Sequence, residues 1–427
     1  MKKIKRDLKE GYVTYFRSDE PVLIPEKIEE KDALRGVWVS TVANIDLPKM
    51  KDVASYKKHL DDIIKTVKEY KMNAVIFQVR PTNDAFYVSE LNPWSAYITG
   101  EQGKYPGFDV FGYFVEKANK AGIEVHAWLN PYRVSQVTLD KLEMTKEEFL
   151  ASLPDKSFAK QNPDLVMETS RKALILDPAS KEVQEFVSDT ALEIAKKYNV
   201  KALHMDDYFY PYEEYVDPNE EKKQYQVGIK NKSDFRRYNV TCLIKMMKEK
   251  LDTLDRKVEF GISPFGIYRT NTKYSSKESA WEYGSNNDES CFNCYEGLYA
   301  DIYYWMEKGY IDYVVPQDYF NLDYYKVLED GSEKEIVKYA DLAKWWNEAS
   351  KKTKTKLYIG MGLYRMGGSN QWANPDEIKN QLLFNSTLDY VSGEIFFTYH
   401  NLTDTVDKYP EAQKSIKSLW TKEVKSI

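Results

Sequence analysis

Eight apolar runs with strand character alternate with segments of helical spacing along this chain, and this alternation limits the fold more than any other feature. The strand-like runs occupy residues 35–41, 73–79, 123–129, the opening of 200–211, 257–263, 311–316, 356–361 and 393–399. The helical segments occupy residues 55–70, 108–121, 177–198, 233–252, 297–308, 338–351 and 374–388, with a helical tail after the last run. Strands that alternate with helices are typical of a parallel sheet, and eight such units predict a (β/α)8 TIM barrel.

A rival fold and the limits of the domain follow from the same alternation. A doubly wound open sheet usually has a glycine-rich phosphate turn after its first strand, and residues 40–44, STVAN, contain no glycine. Residues 1–33 are highly charged without a clear period, so we interpret them as an N-terminal extension. Residues 34–427 are then a single α/β barrel domain with a C-terminal helix. Its two long excursions, 130–176 and 210–233, are expected to lie as lids where the strands exit.

Composition and charge exclude several classes of protein. The chain of 427 residues is 42% apolar and 30% charged, which is typical of a globular enzyme and too apolar for a disordered chain. The net charge of -6, without a dense Lys/Arg cluster, argues against a nucleic-acid partner. We see no membrane span and no signal peptide in the sequence as given, so the compartment stays open, as does the oligomeric state.

The cysteines and histidines do not form a metal-binding pattern. Cys291 and Cys294 have CxxC spacing without the second pair that such a zinc site needs, so we expect free thiols. His126 and His204 fall inside strand-like runs and are interpreted as interior side chains. A metal-dependent deacetylase would need an Asp/His/His set at the strand exits, and we predict neither a metal nor a cofactor.

Two adjacent carboxylates stand directly after the fourth strand. Asp206 and Asp207 end the apolar part of the segment VKALHMDDYFYP, and the aromatic residues Tyr208, Phe209 and Tyr210 follow them. Burial disfavours a charged carboxylate, and a neighbouring carboxylate disfavours it again. A buried strand that ends in this pair is unfavourable unless a site uses the pair, so we place the chemistry at Asp206 and Asp207.

Polar, charged and aromatic residues also follow the other strand-like runs, whereas the interiors of the runs are apolar. The strand exits of a barrel meet at one end, so residues that follow different strands are expected to line one cavity with the Asp pair. An aromatic content of 14%, with 34 Tyr and 9 Trp, suits a polyol ligand because amphipathic rings stack on sugar faces. The predicted substrate-binding residues are Arg80, Asp84, Trp128, Asn130, Tyr132, Arg133, Tyr208, Tyr210, Arg269, Gln317 and Tyr319.

Six segments at these strand exits resemble the motifs of a known family. In chain order they read RGVWVSTVAN, FQVRPTNDAFY, HAWLNPYRV, HMDDYFYP, FGISPFGIYR and VVPQDYF. They are similar to motifs of the glycosyl-hydrolase-like family 10, and the resemblance runs from about Arg35 to the eighth strand. It implies a (β/α)8 barrel, glycosidase activity and export, with a divisome-associated member that cuts peptidoglycan glycan strands stripped of their stem peptides. The chain departs from the family in showing no signal and in carrying Asp318 where we expect an apolar residue.

The adjacency of the two carboxylates bears on the mechanism. Most glycosidases place two carboxyl groups across the scissile bond, whereas successive residues of one strand point to opposite faces. An adjacent pair at a strand end resembles glycosidases that use the substrate's own 2-acetamido group as nucleophile. We therefore predict a retaining glycosidase of N-acetylated bacterial glycan, with peptidoglycan strands favoured. Asp206 is the predicted orienting residue for the acetamide, and Asp207 the predicted general acid/base.

Two alternatives remain open at this point. The first is a glycan-binding barrel without catalysis, although such a module has no need of both carboxylates. The second is a two-carboxylate glycosidase that acts on another polysaccharide, with Asp318 or Asp84 as the second carboxylate. Release of product from an N-acetylated oligosaccharide separates an enzyme from a binding module.

Overall fold

The computed structural model describes residues 1–7, 9–403 and 410–426 and shows a closed barrel of eight strands. Most strand residues are buried, as expected when one face points into the barrel and the other packs against helices. The strands are β1 (Leu34–Val39), β2 (Ala74–Arg80), β3 (Glu124–Leu129), β4 (Ala202–Met205), β5 (Glu259–Ile262), β6 (Tyr313–Val314), β7 (Lys356–Gly362) and β8 (Val391–Phe397).

The strands pair in parallel and in chain order around the ring, and β8 closes on β1 through pairs such as Gly393 with Leu34. The main helices are α1 (Val53–Glu69), α2 (Val110–Lys120), α3 (Lys181–Lys197), α4 (Lys232–Leu251), α5 (Ile302–Glu307), α6 (Tyr339–Thr353), α7 (Glu377–Asn385) and α8 (Pro410–Leu419). The predicted (β/α)8 barrel is therefore confirmed. The predicted domain, 34–427, includes residues 404–409 and 427, which lie outside the described residues.

The two long excursions lie together at the strand-exit end of the barrel. Thr169, in the excursion after β3, pairs with Tyr215 in the excursion after β4, and its hydroxyl donates to Glu213 at 2.8 Å. The expectation that both excursions share this end is confirmed. Their elements are the helices Leu139–Leu142, Lys146–Ser152, Phe158–Gln161 and Glu220–Val227, the 3-10 turn Pro163–Leu165, and the strands Val166–Glu168 and Leu174–Leu176.

Short elements occupy the other strand exits and the N-terminus. A two-stranded hairpin of Tyr324–Val327 with Glu333–Val337 follows β6, and Lys2–Lys3 pairs with Leu23–Ile24. The remaining short helices are Val42–Asn44, Ala96–Thr99, Cys294–Gly297, Leu363–Arg365, Asn370–Ala373 and Tyr399–Leu402.

The residues before β1 pack against the barrel. Val13 is buried in the same apolar core as the barrel helices, and Phe16 is also buried. The backbone N–H of Phe16 donates to Asp341 at 2.8 Å. Arg6 forms an ion pair with Asp323 at 2.6 Å. Asp323 lies just before the hairpin that follows β6. The N-terminal segment therefore supports the loops on one side of the strand-exit end.

Helix α3 begins later than the sequence predicts. Ser180, whose hydroxyl accepts the backbone N–H of Val183 at 3.3 Å, is its N-cap. Asp177 is buried three residues earlier and binds Lys223 and the hydroxyl of Tyr215 instead. Asp177, at which the predicted helical segment begins, instead forms a tertiary ion pair with the excursion after β4.

The thiols are free, as predicted: Cys294 is buried, and Cys242 and Cys291 are half-buried. Burial raises the pKa of Cys291 to about 11, so this thiol stays protonated near neutral pH. Within the described ranges, no helix is long and apolar enough to cross a membrane.

Candidate active site

A cavity of about 460 Å³ opens at the strand-exit end and contains the Asp pair. Ligand pockets commonly have volumes of about 300–1,000 Å³, so the size suits a small-molecule or sugar site. We call it the central cavity. All eight strands or the segments after them contribute to its lining: Trp38, Ser40, Val42, Ile45, Gln78, Trp128, Arg133, Gln136, Asp206, Asp207, Tyr208, Tyr212, Ser263, Phe265, Gln317, Tyr319, Phe320, Tyr364, Arg365 and Phe397.

Asp206 is held by donors from β3, from the segment after it and from its own loop. The indole N–H of Trp128 donates to Oδ2 at 3.2 Å, and the amide of Asn130 donates to the same oxygen at 2.5 Å. The backbone N–H of Tyr208 donates to Oδ1 at 3.1 Å. Burial raises the pKa of Asp206 overall, and the charge of Arg133 and these hydrogen bonds offset only part of that rise. The donors fix the carboxylate in place and favour its charged form.

The orientation of the Asn130 amide is itself determined by its neighbours. Its carbonyl oxygen accepts from Gln78 at 2.6 Å and from Arg133 at 3.2 Å, so its NH₂ group must face Asp206. Arg80 donates to the backbone carbonyl of Asn130 at 2.6 Å and holds the chain after β3. A chain of side chains from β2 and β3 thus positions Asp206.

Asp207 lies in a different environment from its neighbour. Burial and the negative charge of Asp206 raise the pKa of Asp207 to about 7, while hydrogen bonds from Tyr212 and Gln317 lower it. The hydroxyl of Tyr212 donates to Oδ2. Asp207 therefore exchanges a proton near neutral pH, which is the property of a general acid/base.

Five of the predicted substrate-binding residues line the central cavity with the Asp pair: Trp128, Arg133, Tyr208, Gln317 and Tyr319. The guanidinium of Arg133 lies 4.4 Å from the ring centre of Tyr208, so the excursions after β3 and β4 meet at the cavity wall. The Gln317 amide donates to the backbone carbonyl of Ser263 at 2.8 Å.

The other six predicted binding residues do not line the central cavity: Arg80, Asp84, Asn130, Tyr132, Tyr210 and Arg269. Arg80 is fully buried and, with Asn130, forms the layer behind Asp206. Tyr132 and Tyr210 are buried in the apolar core. Arg269 turns away to donate to the backbone carbonyl of Ser279 at 2.6 Å. A position just after a strand does not determine which way the side chain points, so the strand-exit argument fails for these residues.

The structure also adds residues to the site that the sequence interpretation did not select. Trp38 and Phe397 lie within apolar runs and were indistinguishable from core, yet both line the central cavity. Arg365 comes from the segment after β7, and Gln136 from the excursion after β3. Tyr212, the partner of Asp207, could have been selected from the sequence, because it continues the aromatic run two residues beyond Tyr210.

No further carboxylate of the described residues lines the central cavity opposite the pair. Among the described residues, its acidic lining consists of Asp206 and Asp207. Asp84 lines a neighbouring cavity, and Asp318 is fully buried behind the wall. Nor do the described His, Cys, Asp and Glu side chains form a group of three that suits a metal ion. The site thus contains one adjacent carboxylate pair in aromatic surroundings.

The interior histidines form a polar chain below the central cavity. His126 and His204 each lie within 3.0 Å of the hydroxyl of Tyr313, and His204 contacts the hydroxyl of Ser263 at 2.9 Å. Burial lowers the pKa of His204 well below its usual value, so it is neutral. Neither histidine lines the central cavity.

Asp318 is a buried carboxyl group without a partner. It is 0% exposed, and neither side-chain oxygen has a hydrogen-bond partner in the part of the chain that the structure describes. Burial raises the pKa of Asp318 well above its usual value, so the folded protein keeps this group protonated. An apolar side chain would leave no unpaired polar atom at this position.

We expect Asp318→Asn to make the stability of the protein less dependent on pH. Above the unfolded-state pKa of about 3.9, the unfolded chain releases a proton that folded Asp318 retains, so wild-type stability falls as the pH rises. Relative to the variant, the wild type should lose up to about 1.4 kcal/mol per pH unit until the folded pKa is reached. Urea denaturation of both proteins at about pH 5 and pH 8 measures this difference, and a constant difference contradicts it.

Two solved structures of low sequence identity share this architecture. The glycoside hydrolase domain of PgaB (BpsB) from Bordetella bronchiseptica superposes with a TM-score of 0.55 and 12% identity, over 92% of this chain and 100% of that one. The catalytic domain of beta-amylase from Paenibacillus polymyxa gives a TM-score of 0.56 and 9% identity, over 92% and 98%. At these identities the likeness shows the fold alone.

Sequence comparison identifies the family. Glycosyl hydrolase YngK of Bacillus subtilis (strain 168) is 35% identical over 381 residues, 86% of this chain and 68% of that protein. Glycosyl hydrolase DigH of Escherichia coli (strain K12) is 30% identical over 410 residues, 92% of this chain and 87% of that protein. The model of the family described as Glycosyl hydrolase-like 10 matches residues 33–376. This chain therefore belongs to the Glycosyl hydrolase-like 10 family, whose named members support a glycosidase-type enzyme.

Proposed function

We propose that this protein is a retaining glycoside hydrolase that cleaves N-acetylated glycan strands with the substrate's acetamido group as nucleophile. The observation that carries the proposal is the adjacent pair of carboxylates in two different environments, with no other described carboxylate in the central cavity. A mechanism with two carboxylates across the scissile bond lacks its second group here.

In the proposed first step, Asp206 accepts a hydrogen bond from the acetamide N–H and so increases the nucleophilicity of the acetamide oxygen. That oxygen attacks the anomeric carbon as the glycosidic bond breaks, and Asp207 gives its proton to the departing oxygen. A cyclic oxazolinium intermediate results. In the second step, Asp207 takes a proton from water, which attacks the same carbon from the opposite side and reopens the ring. Two inversions at the anomeric carbon give net retention.

The surroundings of the pair suit this chemistry. Trp128, Asn130 and the backbone of Tyr208 hold Asp206, so the acetamide meets a carboxylate of fixed direction. The rings of Trp38, Tyr319 and other aromatic residues line the cavity and offer faces for a sugar. Both sugars of peptidoglycan strands carry an acetamido group, so we propose strands stripped of their peptides as the substrate.

The proposal is tested by incubating the protein with N-acetylated glycan strands and with the same strands after chemical N-deacetylation. We expect soluble products from the first and none from the second, because a free amine cannot supply the attacking oxygen. Proton NMR of the first-formed product should show the anomeric configuration of the substrate. Inversion, or full activity on deacetylated strands, contradicts the acetamide mechanism, and binding without products indicates a glycan-binding module.

A further inference from the structure

A second and larger cavity, of about 870 Å³, adjoins the central cavity. It lies between the loop after β2, from Thr82 to Lys104, and the excursion after β3, from Val134 to Pro154. Gln136 lines both cavities, so the two spaces share a wall. We call this space the distal cavity. Because both cavities lie at the strand-exit end, a ligand that leaves the central cavity on this side enters the distal cavity.

Gln102, one of the residues that line the distal cavity, carries a hydrogen-bond acceptor without a partner among the described residues. The side-chain oxygen of Gln102 is buried and has no hydrogen-bond partner among the residues that the structure describes. The amide nitrogen of Gln102 faces Asp84 Oδ2 at 3.5 Å, which directs the unpaired oxygen away from Asp84. Asp84 is 1% exposed, and burial raises its pKa, although hydrogen bonds from Ser95, Thr82 and Gln102 lower it. A buried, unpaired acceptor is unfavourable by itself and suits a ligand N–H or O–H donor.

One side of the distal cavity is apolar, whereas the charged residues Glu101 and Lys104 lie elsewhere in its lining. Leu142, Phe149, Leu153 and Pro154 form this apolar side, opposite the loop that carries Gln102. An acetamido group combines an N–H donor with a methyl group, and therefore matches an amide acceptor beside an apolar wall.

We propose that the distal cavity is a subsite for a further N-acetylated sugar of the strand that is cleaved in the central cavity. Its acetamide N–H donates to the Gln102 oxygen, and its methyl group packs against the side formed by Leu142 and Phe149. This inference rests on the proposed function, because it assigns a second binding position to the same glycan. It makes the enzyme one that prefers longer strands.

Two variants test the distal cavity without touching the central one. Ser152 is an exposed residue that lines the distal cavity, so Ser152→Trp places a large ring in it. Ala151 is its exposed neighbour on the same helix and does not line the cavity, so Ala151→Trp is the matched control. Gln102→Leu removes the acceptor while keeping a similar volume. Thermal denaturation confirms that each variant is folded.

The measurement is the binding of N-acetylglucosamine oligomers, from the disaccharide to the hexasaccharide, by calorimetry to each protein in an Asp207→Asn background. We expect affinity to increase with length, and Ser152→Trp to abolish the increase while Ala151→Trp preserves it. Gln102→Leu should lower the affinity for the longer oligomers roughly five- to tenfold and leave the affinity for the shortest one unchanged. Affinity that does not depend on length, or equal losses at all lengths, overturns the subsite. If Asp207→Asn binds with this length dependence but the wild-type protein releases no product, the result contradicts the proposed hydrolysis and supports the subsite.

Discussion

Asp207→Asn is expected to lower kcat/KM for an unactivated N-acetylated glycan by roughly 10²–10⁴-fold. Asp207 lies in the central cavity, where burial and the charge of Asp206 raise its pKa to about 7, and it is the proposed proton donor. Asparagine has nearly the same shape but no acidic proton to give to the leaving oxygen. An aryl N-acetylglucosaminide with an activated leaving group needs no proton, so the variant should lose least on that substrate.

The pH dependence of the wild-type enzyme provides an independent measurement of the same role. A general acid must be protonated to act, so kcat/KM for the unactivated glycan should fall as the pH rises through about 7. The activated substrate should show no such fall. Asp318→Asn makes the same change at a buried carboxyl group outside the central cavity, and it should retain wild-type kcat/KM. Equal losses of Asp207→Asn on both substrates, or a large loss in the control, contradict the assignment.

Asp206→Asn is expected to reduce the rate by roughly 10²-fold on the activated and the unactivated substrate alike. Proton donation matters only to a poor leaving group, whereas the position of the nucleophile matters to every substrate that uses it. Asparagine in place of Asp206 loses the negative charge that polarises the acetamide N–H. It also places an amide against the donors of Trp128 and Asn130, which disturbs the hydrogen bonds that fix this side chain.

Comparison of the two variants on the two substrates separates orientation from proton transfer. Near-wild-type activity of Asp206→Asn on the activated substrate would show that the acetamide does not need this carboxylate. Circular dichroism and thermal denaturation of both variants, beside Asp318→Asn, distinguish a local chemical loss from unfolding. If Asp206→Asn unfolds well below the wild-type temperature, Asp206→Glu takes its place in the experiment. This variant keeps the negative charge but moves it, so its rate should also be lower than that of the wild type.

The barrel was predictable from the sequence because its signal is local and repeated. Each strand is a short apolar run, each helix has a period that differs from that of a strand, and eight repetitions leave few other folds. The boundaries were less certain where a tertiary contact competes with a local pattern. The start of α3 is the clearest case, since Ser180 caps the helix while Asp177 binds Lys223.

The position of Asp206 and Asp207 in the central cavity was also predictable, because two adjacent carboxylates at the end of a buried strand are unfavourable unless they reach a cavity or a partner. The ring around the pair was predictable only in part. Arg80 and Trp128 both belong to strands that end at the same face, yet Trp128 lines the central cavity and Arg80 is fully buried behind it. Trp38 and Phe397 have the sequence pattern of core residues, yet both line the central cavity.

The sequence by itself thus determined the barrel and the position of the Asp206–Asp207 pair at its strand-exit end. Only the tertiary structure decided which side chains face the pair, that Tyr212 and Gln317 contact Asp207, and that no second described carboxylate lies opposite. The physical reason is the range of the interactions. Periodicity and burial are encoded over a few residues, whereas the direction of a loop side chain depends on partners that are distant in sequence, such as Gln78 for Asn130.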